Sequence, residues 1–312
     1  MAFVRVPGND VPEGAEEHWL EGRGGVKVRV MTAPSSLAVT RGSVIVAPGR
    51  TEFVEKYFEV IKELQGRGFA VFCIDWRGQG LSGREVDNPE KGHMVSFDDP
   101  VNDLATALRL LTDRLPRPHI VLAHSMGGAI ILRALQTRRI EVDAAAFSAP
   151  MWGIAGLSKM LKRLVRFLAS IGAGQTFAPS VQRKWVREPF KKNPVTHDPV
   201  RHARCQGLIV EEPRLALAGP TVGWLAAAID VTESFVQPGA LANIRIPILV
   251  ASAGEEVLVD NASHDACADE LPDARYITID GAKHEILMEL DRFRAEFWAA
   301  FDALLERVAP KR

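Results

Sequence analysis

Cysteine is scarce in this sequence: Cys73, Cys205 and Cys267 are the only three among 312 residues, and no two form a C-x-x-C pair. So few and so widely spaced, they suggest neither a disulfide framework nor a zinc-ligand set. No other ligand cluster calls for a metal, and no motif calls for an organic cofactor. An excess of charge of either sign is also missing. The 38 Lys and Arg against 39 Asp and Glu leave a formal net charge of −1, so no overall field draws the chain to nucleic acid. No apolar run reaches the ~18 residues of a membrane span. The opening stretch MAFVRVPGNDVPEGAEE has no apolar segment after a basic start, unlike a secretory signal. The expected location is the cytoplasm.

What is present is the balance of a globular protein. With 47% hydrophobic and 25% charged residues, the chain can bury a sizeable core. HWLEG and VKVRVMT alternate polar and apolar residues, the pattern of an antiparallel pair at a half-exposed sheet edge. SVIVAPG, FAVFCID, HIVLAHS, DAAAFSAP and IPILVAS are continuous apolar runs, as parallel strands covered on both faces require. Between them, Phe53, Tyr57, Val60, Ile61 and Leu64 follow helical spacing, as do Val101, Leu104, Leu108, Leu111 and Leu115. ASHDACADEL, ARYITID and a last helix from about Glu285 to Val308 continue the alternation. The prediction is an α/β fold with a mostly parallel, doubly wound sheet.

Residues 151–238 break the rhythm. They hold six prolines before Gln237 and no convincing buried strand, yet are bracketed by the strands DAAAFSAP and IPILVAS. They are expected to form a helical cap inserted into a core of residues 1–150 and 239–312. No carboxylate falls between Asp143 and Glu188, whereas Lys159, Lys162, Arg163, Arg166, Arg183, Lys184 and Arg187 all do. A helix starting near Leu157 would carry residues 157, 160, 161, 164, 168 and 171 as one apolar stripe. Its basic face is either simply solvated or attracted to an anionic membrane surface, which would place the protein at the periphery of the inner membrane face.

The chemistry centres on VLAHSMGGAI, residues 121–130, where a strand stops on Ser125 and a helix starts at once. A nucleophile elbow needs small residues two before and two after the serine, because strand and helix backbones come close. Ala123 and Gly127 occupy those places, and Gly128 adds clearance. A serine hydroxyl needs a histidine base, itself oriented by a carboxylate, in the chain order Ser, Asp or Glu, His. His284, in ITIDGAKHEIL, follows the last strand and so reaches the carboxyl edge of the sheet. His197, His202 and His264 lie in the insertion or on a helix face. The carboxylate should follow IPILVAS, where Glu255, Glu256 and Asp260 compete. Glu256 suits best, Glu255 could face solvent, and Asp260 could cap the next helix. An oxyanion hole also needs two backbone N–H groups. Met126 supplies one, and Arg50, in the Pro48-Gly49-Arg50 loop, the other, unless that loop is merely a turn.

These motifs resemble the α/β-hydrolases of the monoglyceride lipase and bacterial lysophospholipase group, within the serine aminopeptidase-like S33 superfamily. AHSMGG, DWRGQGLS, PGRTEFVEKY, SAGEEVLVDN and GAKHEIL carry the likeness from about residue 40 to residue 300. Within the insertion, NPVTHDPVR and LAGPTVGW are similar to cap segments of the bacterial lysophospholipases. Two positions depart from the wider family: Pro48 stands where a histidine is usual, and Glu256 where an aspartate is usual. The resemblance implies an α/β-hydrolase fold and a serine esterase acting on a lysophospholipid or monoacylglycerol, its small lipid substrate held between core and cap. Other readings are a hydrolase of small esters, thioesters or peptide N-termini, or a non-catalytic binding protein on the same fold.

Overall fold

The computed structural model describes residues 3–311, which form one eight-stranded sheet flanked by eight α-helices. The strands are β1 (Glu16–Glu21), β2 (Lys27–Ala33), β3 (Gly42–Ala47), β4 (Phe69–Asp75), β5 (His119–His124), β6 (Ala144–Ser148), β7 (Ile248–Ala253) and β8 (Ala274–Ile279). Their spatial order is β1-β2-β4-β3-β5-β6-β7-β8. The first two strands pair antiparallel, β2 pairs antiparallel with β4, and every later pairing is parallel. This is the mostly parallel, doubly wound sheet that the alternation predicts.

Burial explains why the runs read as they do. Each residue of β3, β4, β5, β6 and β7 is buried, because helices cover both faces. Along β3, Ile45 and Ala47 join one core while Val44 and Val46 join the other. Residues alternate between faces with a period of two, yet both faces are apolar. Edge strand β1 has one side open and keeps a polar alternation instead.

The helices are α1 (Phe58–Gly66), α2 (Asp98–Leu110), α3 (Met126–Gln136), α4 (Lys159–Ser170), α5 (Pro199–Glu211), α6 (Val222–Phe235), α7 (Asn261–Glu270) and α8 (Asp291–Val308). One core packs side chains of α2, α3, α6 and α7, the other those of α1 and α8. The last helix begins at Asp291, not near Glu285. The intervening chain makes a short 3-10 turn at Ile286–Met288, and the buried Glu289 carboxylate explains the delay. It accepts the backbone N–H groups of Lys283, His197 and Leu290, which closes a loop incompatible with helix.

Between β6 and β7 the chain leaves the sheet and forms α4, α5 and α6. The apolar stripe expected on α4 is split in two. Leu157, Leu161, Val165 and Leu168 pack against α6, while Met160, Leu164, Phe167 and Ile171 stand exposed by 80%, 45%, 58% and 61%. Nor is the basic face free throughout. Lys162 pairs with Glu233 at 3.0 Å, and Arg166 with Asp230 and Glu233 at 2.6 Å. Lys159 and Arg163 are exposed and have no ion-pair partner among the described residues.

Candidate active site

The parallel strands deliver four loops to one edge of the sheet, at their carboxyl ends. These carry residues 48–52 after β3, Ser125 after β5, Glu256 after β7 and His284 after β8. Ser125 sits between β5 and α3 with φ 49° and ψ −119°. That backbone conformation is rare for a non-glycine residue, and it turns the side chain out of the sheet. The tightness explains the glycines that follow. A Cβ at Gly127 would run into the carbonyl oxygens of Ala47 and Pro48, and one at Gly128 would come within 2.6 Å of the Pro150 side chain.

His284, 4% exposed, reaches the serine. Its Nε2 lies 2.9 Å from Ser125 Oγ, and its Nδ1 lies 2.7 Å from Glu256 Oε2. A carboxylate on that side fixes the tautomer, with Nδ1–H donating to Glu256 and Nε2 left to accept the serine O–H. The other Glu256 oxygen accepts the N–H groups of Val257, Leu258 and Val259. Burial alone would push the Glu256 carboxyl up. The hydrogen bond and charge of His284, with the Leu258 and Val259 N–H groups, outweigh it and hold the carboxyl below its ordinary range.

The competing carboxylates go elsewhere. Asp260 caps α7 by accepting the Ala262 N–H, and exposed Glu255 lies 3.4 Å from His197. The other histidines considered lie elsewhere, and the ring Nε2 of His202 has no hydrogen-bond partner among the described residues. His197 pairs with Glu289 at 2.8 Å, and His202 lies on α5. His264 is fully buried between Ser252 Oγ and the Pro150 carbonyl, and burial pulls its pKa down to about 4.

On the loops beside Ser125, two backbone N–H groups have no acceptor among the described residues. Met126 opens α3, so it has no intrahelical carbonyl to reach. On the loop after β3, the Gly49 N–H is taken by the Glu52 carboxylate and the Thr51 N–H by Gln79 Oε1. The N–H of Arg50, between them, is left free. Gly49 approaches so closely that a Cβ there would lie 3.1 Å from Ser125 Cβ.

Sequence reasoning missed the side chains that hold this loop. Gln79 Nε2 donates to the carbonyls of Gly49 (2.7 Å) and Glu52 (3.1 Å), and Trp76 Nε1 donates to that of Pro48 (2.8 Å). Both belong to DWRGQGLS, so that motif braces the loop. Glu52 is buried beneath it and also accepts from Tyr57 Oη and Lys56 Nζ, both at 2.7 Å. Burial would raise the Glu52 carboxyl, but the neighbouring Lys56 charge holds it well below the usual range. The one signal for this brace was Glu52 standing four residues before Lys56.

Comparisons with known proteins bear on the family and the fold. Residues 38–291 match the family described as serine aminopeptidase, S33. Lysophospholipase L2 of Escherichia coli strain K12 is 36% identical over 262 residues, covering 81% of this chain and 76% of that protein. Monoacylglycerol lipase of Mycolicibacterium smegmatis is 25% identical over 277 residues, covering 88% and 91%. Among solved structures, a soluble variant of monoglyceride lipase from Saccharomyces cerevisiae superposes with a TM-score of 0.75 at 16% identity, over 94% of this chain and 96% of that one. That likeness establishes the fold. A match across most of the chain establishes more: this protein belongs to the serine aminopeptidase S33 family of α/β-hydrolases.

Proposed function

We propose that the protein is a serine hydrolase cleaving carboxylic esters of single-chain lipids, lysophospholipids or monoacylglycerols. The observation that carries the chemistry is the unbroken hydrogen-bonded line Ser125–His284–Glu256 at the carboxyl edge of the sheet. The names of its relatives in Escherichia coli and Mycolicibacterium smegmatis support the substrate class. In this reading Ser125 Oγ attacks the ester carbonyl as His284 Nε2 takes its proton. Glu256 stabilises the resulting imidazolium. The oxygen that becomes negative is held by the N–H groups of Met126 and Arg50, which need no rearrangement to receive it. Collapse breaks the C–O bond, and His284 returns the proton to the departing alcohol. Water, activated by the same histidine, then releases the fatty acid from Ser125.

Residues 151–238 serve as the cap over a core of residues 1–150 and 239–312. Support comes from a cavity of about 640 Å³ lined by Arg50 and Glu285 of the core and by Trp185, His202 and Leu217 of the insertion. That volume is in the range of small-molecule sites. Peripheral contact with an anionic membrane through α4 is the second part of the proposal. Its support is the exposed row of Met160, Leu164, Phe167 and Ile171 beside Lys159 and Arg163, which have no ion-pair partner among the described residues. Burying such side chains is favourable by roughly 1.5–3 kcal/mol each when complete. Among the described residues no helix is long and apolar enough to cross a membrane.

One experiment tests both parts. Esters of graded chain length, a thioester and an aminoacyl amide are offered in solution, and lysophospholipid and monoacylglycerol both in solution and in anionic vesicles. The long single-chain esters should turn over fastest, and the protein should pellet with the vesicles at low salt. Exclusive cleavage of the thioester or amide contradicts the substrate class. In the double variant Lys159→Glu/Arg163→Glu pelleting should fall severalfold, whereas Lys162→Glu should act mainly through its lost pairing with α6. Equal pelleting of wild type and double variant contradicts the membrane contact.

A further inference from the structure

The side chain of Arg50 has no part in the chemistry described above, where only its N–H is used. It lines the cavity between core and insertion. One terminal nitrogen donates to the Ala218 carbonyl, and the guanidinium lies 5.4 Å from the centre of the Trp224 ring. Its Nε is covered and has no acceptor among the described residues. No carboxylate among the described residues lies within ion-pairing distance of it, and burial pulls its pKa down to about 10. At neutral pH it is therefore a charged group partly removed from water with no counterion. Such a group is costly unless something negative completes it.

The cavity wall around it has the same bias. Lys56 lines the cavity too, but Glu52 and Glu285 neutralise it at 2.7 and 2.6 Å. Arg187 and Lys192, at the rim, have no carboxylate within reach among the described residues. Against these three uncompensated cations stands Glu188, the other acid of the wall besides Glu285. His202 and Cys205 complete the charged or titratable lining; burial lowers the histidine pKa and raises that of the thiol to about 11, so both favour the neutral form.

We propose that Arg50, assisted by Arg187 and Lys192, binds the phosphodiester of a lysophospholipid and so selects that substrate over a monoacylglycerol. The inference rests on the hydrolase reading above and narrows its substrate class. Its geometry follows from the covalent structure of the chain. In that reading the Arg50 N–H meets the carbonyl oxygen of the ester, and the same residue lines the cavity, so it links the reacting carbonyl to the space for the head group. In a 1-acyl lysophospholipid three carbons separate the ester oxygen from the phosphodiester. A guanidinium fork is well matched to two phosphate oxygens. A site built to pair a charged group discriminates strongly against an analogue that lacks it, because its own polar atoms are then left unpaired.

The test compares palmitoyl lysophosphatidylethanolamine with monopalmitoylglycerol, below their aggregation concentrations, in wild type, Arg50→Gln and the double variant Arg187→Ala/Lys192→Ala. The double variant changes exposed side chains only, so it reports even where Arg50→Gln disturbs the loop. Expected is a fall of at least tenfold in the ratio of kcat/KM for the phosphodiester over the neutral lipid, through KM, in both variants. Glycerophosphoethanolamine, measured by calorimetry, should bind wild type and bind each variant at least tenfold more weakly, with inorganic phosphate far weaker throughout. An unchanged ratio in both variants overturns the assignment, as does inorganic phosphate binding as tightly as the phosphodiester. Wild type that cleaves neither lipid contradicts the hydrolase reading instead, and glycerophosphoethanolamine binding still decides the phosphate site.

Discussion

Replacing Ser125 by Ala should lower turnover of a long-chain monoacylglycerol by roughly 10⁴ to 10⁶ in kcat, leaving at most what binding and oxyanion stabilisation give alone. The substitution removes one oxygen from a partly exposed side chain. The strained backbone beneath it is fixed by others: the Ser125 N–H to the Ser148 carbonyl, and the Met151 N–H to the Ser125 carbonyl. Thermal stability should therefore stay close to that of wild type. Activity loss accompanied by unfolding would mean that the hydroxyl is structural. Turnover within tenfold of wild type, in a folded variant, would remove Ser125 from the reaction.

The second large effect concerns the acid. Glu256→Gln should reduce kcat by about 10⁴, by analogy with the amide substitution of a triad aspartate, whereas Asp260→Asn and Glu255→Gln should stay within severalfold of wild type. An amide at position 256 can present its NH₂ to Nδ1 and hold the wrong tautomer of His284, and it cannot balance the imidazolium. Asp260 and Glu255 touch neither ring nitrogen of His284. The depressed pKa of Glu256 adds a pH signature. A carboxyl lowered on folding contributes fully above its unfolded value of about 4.3 and loses that contribution as pH falls through the lower folded value. Between pH 5 and 8 the Glu256 charge is therefore constant, and any change in rate there belongs to another group. If Asp260→Asn proved the most damaging of the three, the loop would work in a different register from the one it adopts here.

Which parts of this arrangement could be read in the sequence follows from how local their causes are. The buried strands announce themselves because parallel strands covered on both faces need apolar residues at every position, so SVIVA and FAVFCID are unambiguous. Ser125 and His284 are legible for a related reason. Each follows the carboxyl end of a strand, Ser125 directly after β5 and His284 five residues after β8, and strand order fixes which edge of the sheet that end meets. The acid is only half legible. Glu255, Glu256 and Asp260 lie within six residues, and choosing among them depends on His284, whose ring arrives from another strand. The split stripe of α4 and the ion pairs of Lys162 and Arg166 depend on α6, more than sixty residues away along the chain. No local pattern states which apolar arc that helix will cover. The start of α8 was misplaced for the same reason, since Glu289 accepts N–H groups from both the insertion and the His284 loop. Gln79 and Trp76 escaped notice because their work is to hold backbone carbonyls of a loop thirty residues earlier.

The central claim is a covalent acyl intermediate on one serine, and labelling tests it most directly. Wild-type protein is incubated with a long-chain fluorophosphonate, digested, and the modified peptide sequenced by mass spectrometry. The account predicts one adduct per chain, on Ser125, formed at a rate that Glu256→Gln slows strongly and that a monoacylglycerol substrate suppresses by competition. An adduct on any other residue would contradict it, as would hydrolysis that continues unchanged after Ser125 is fully labelled.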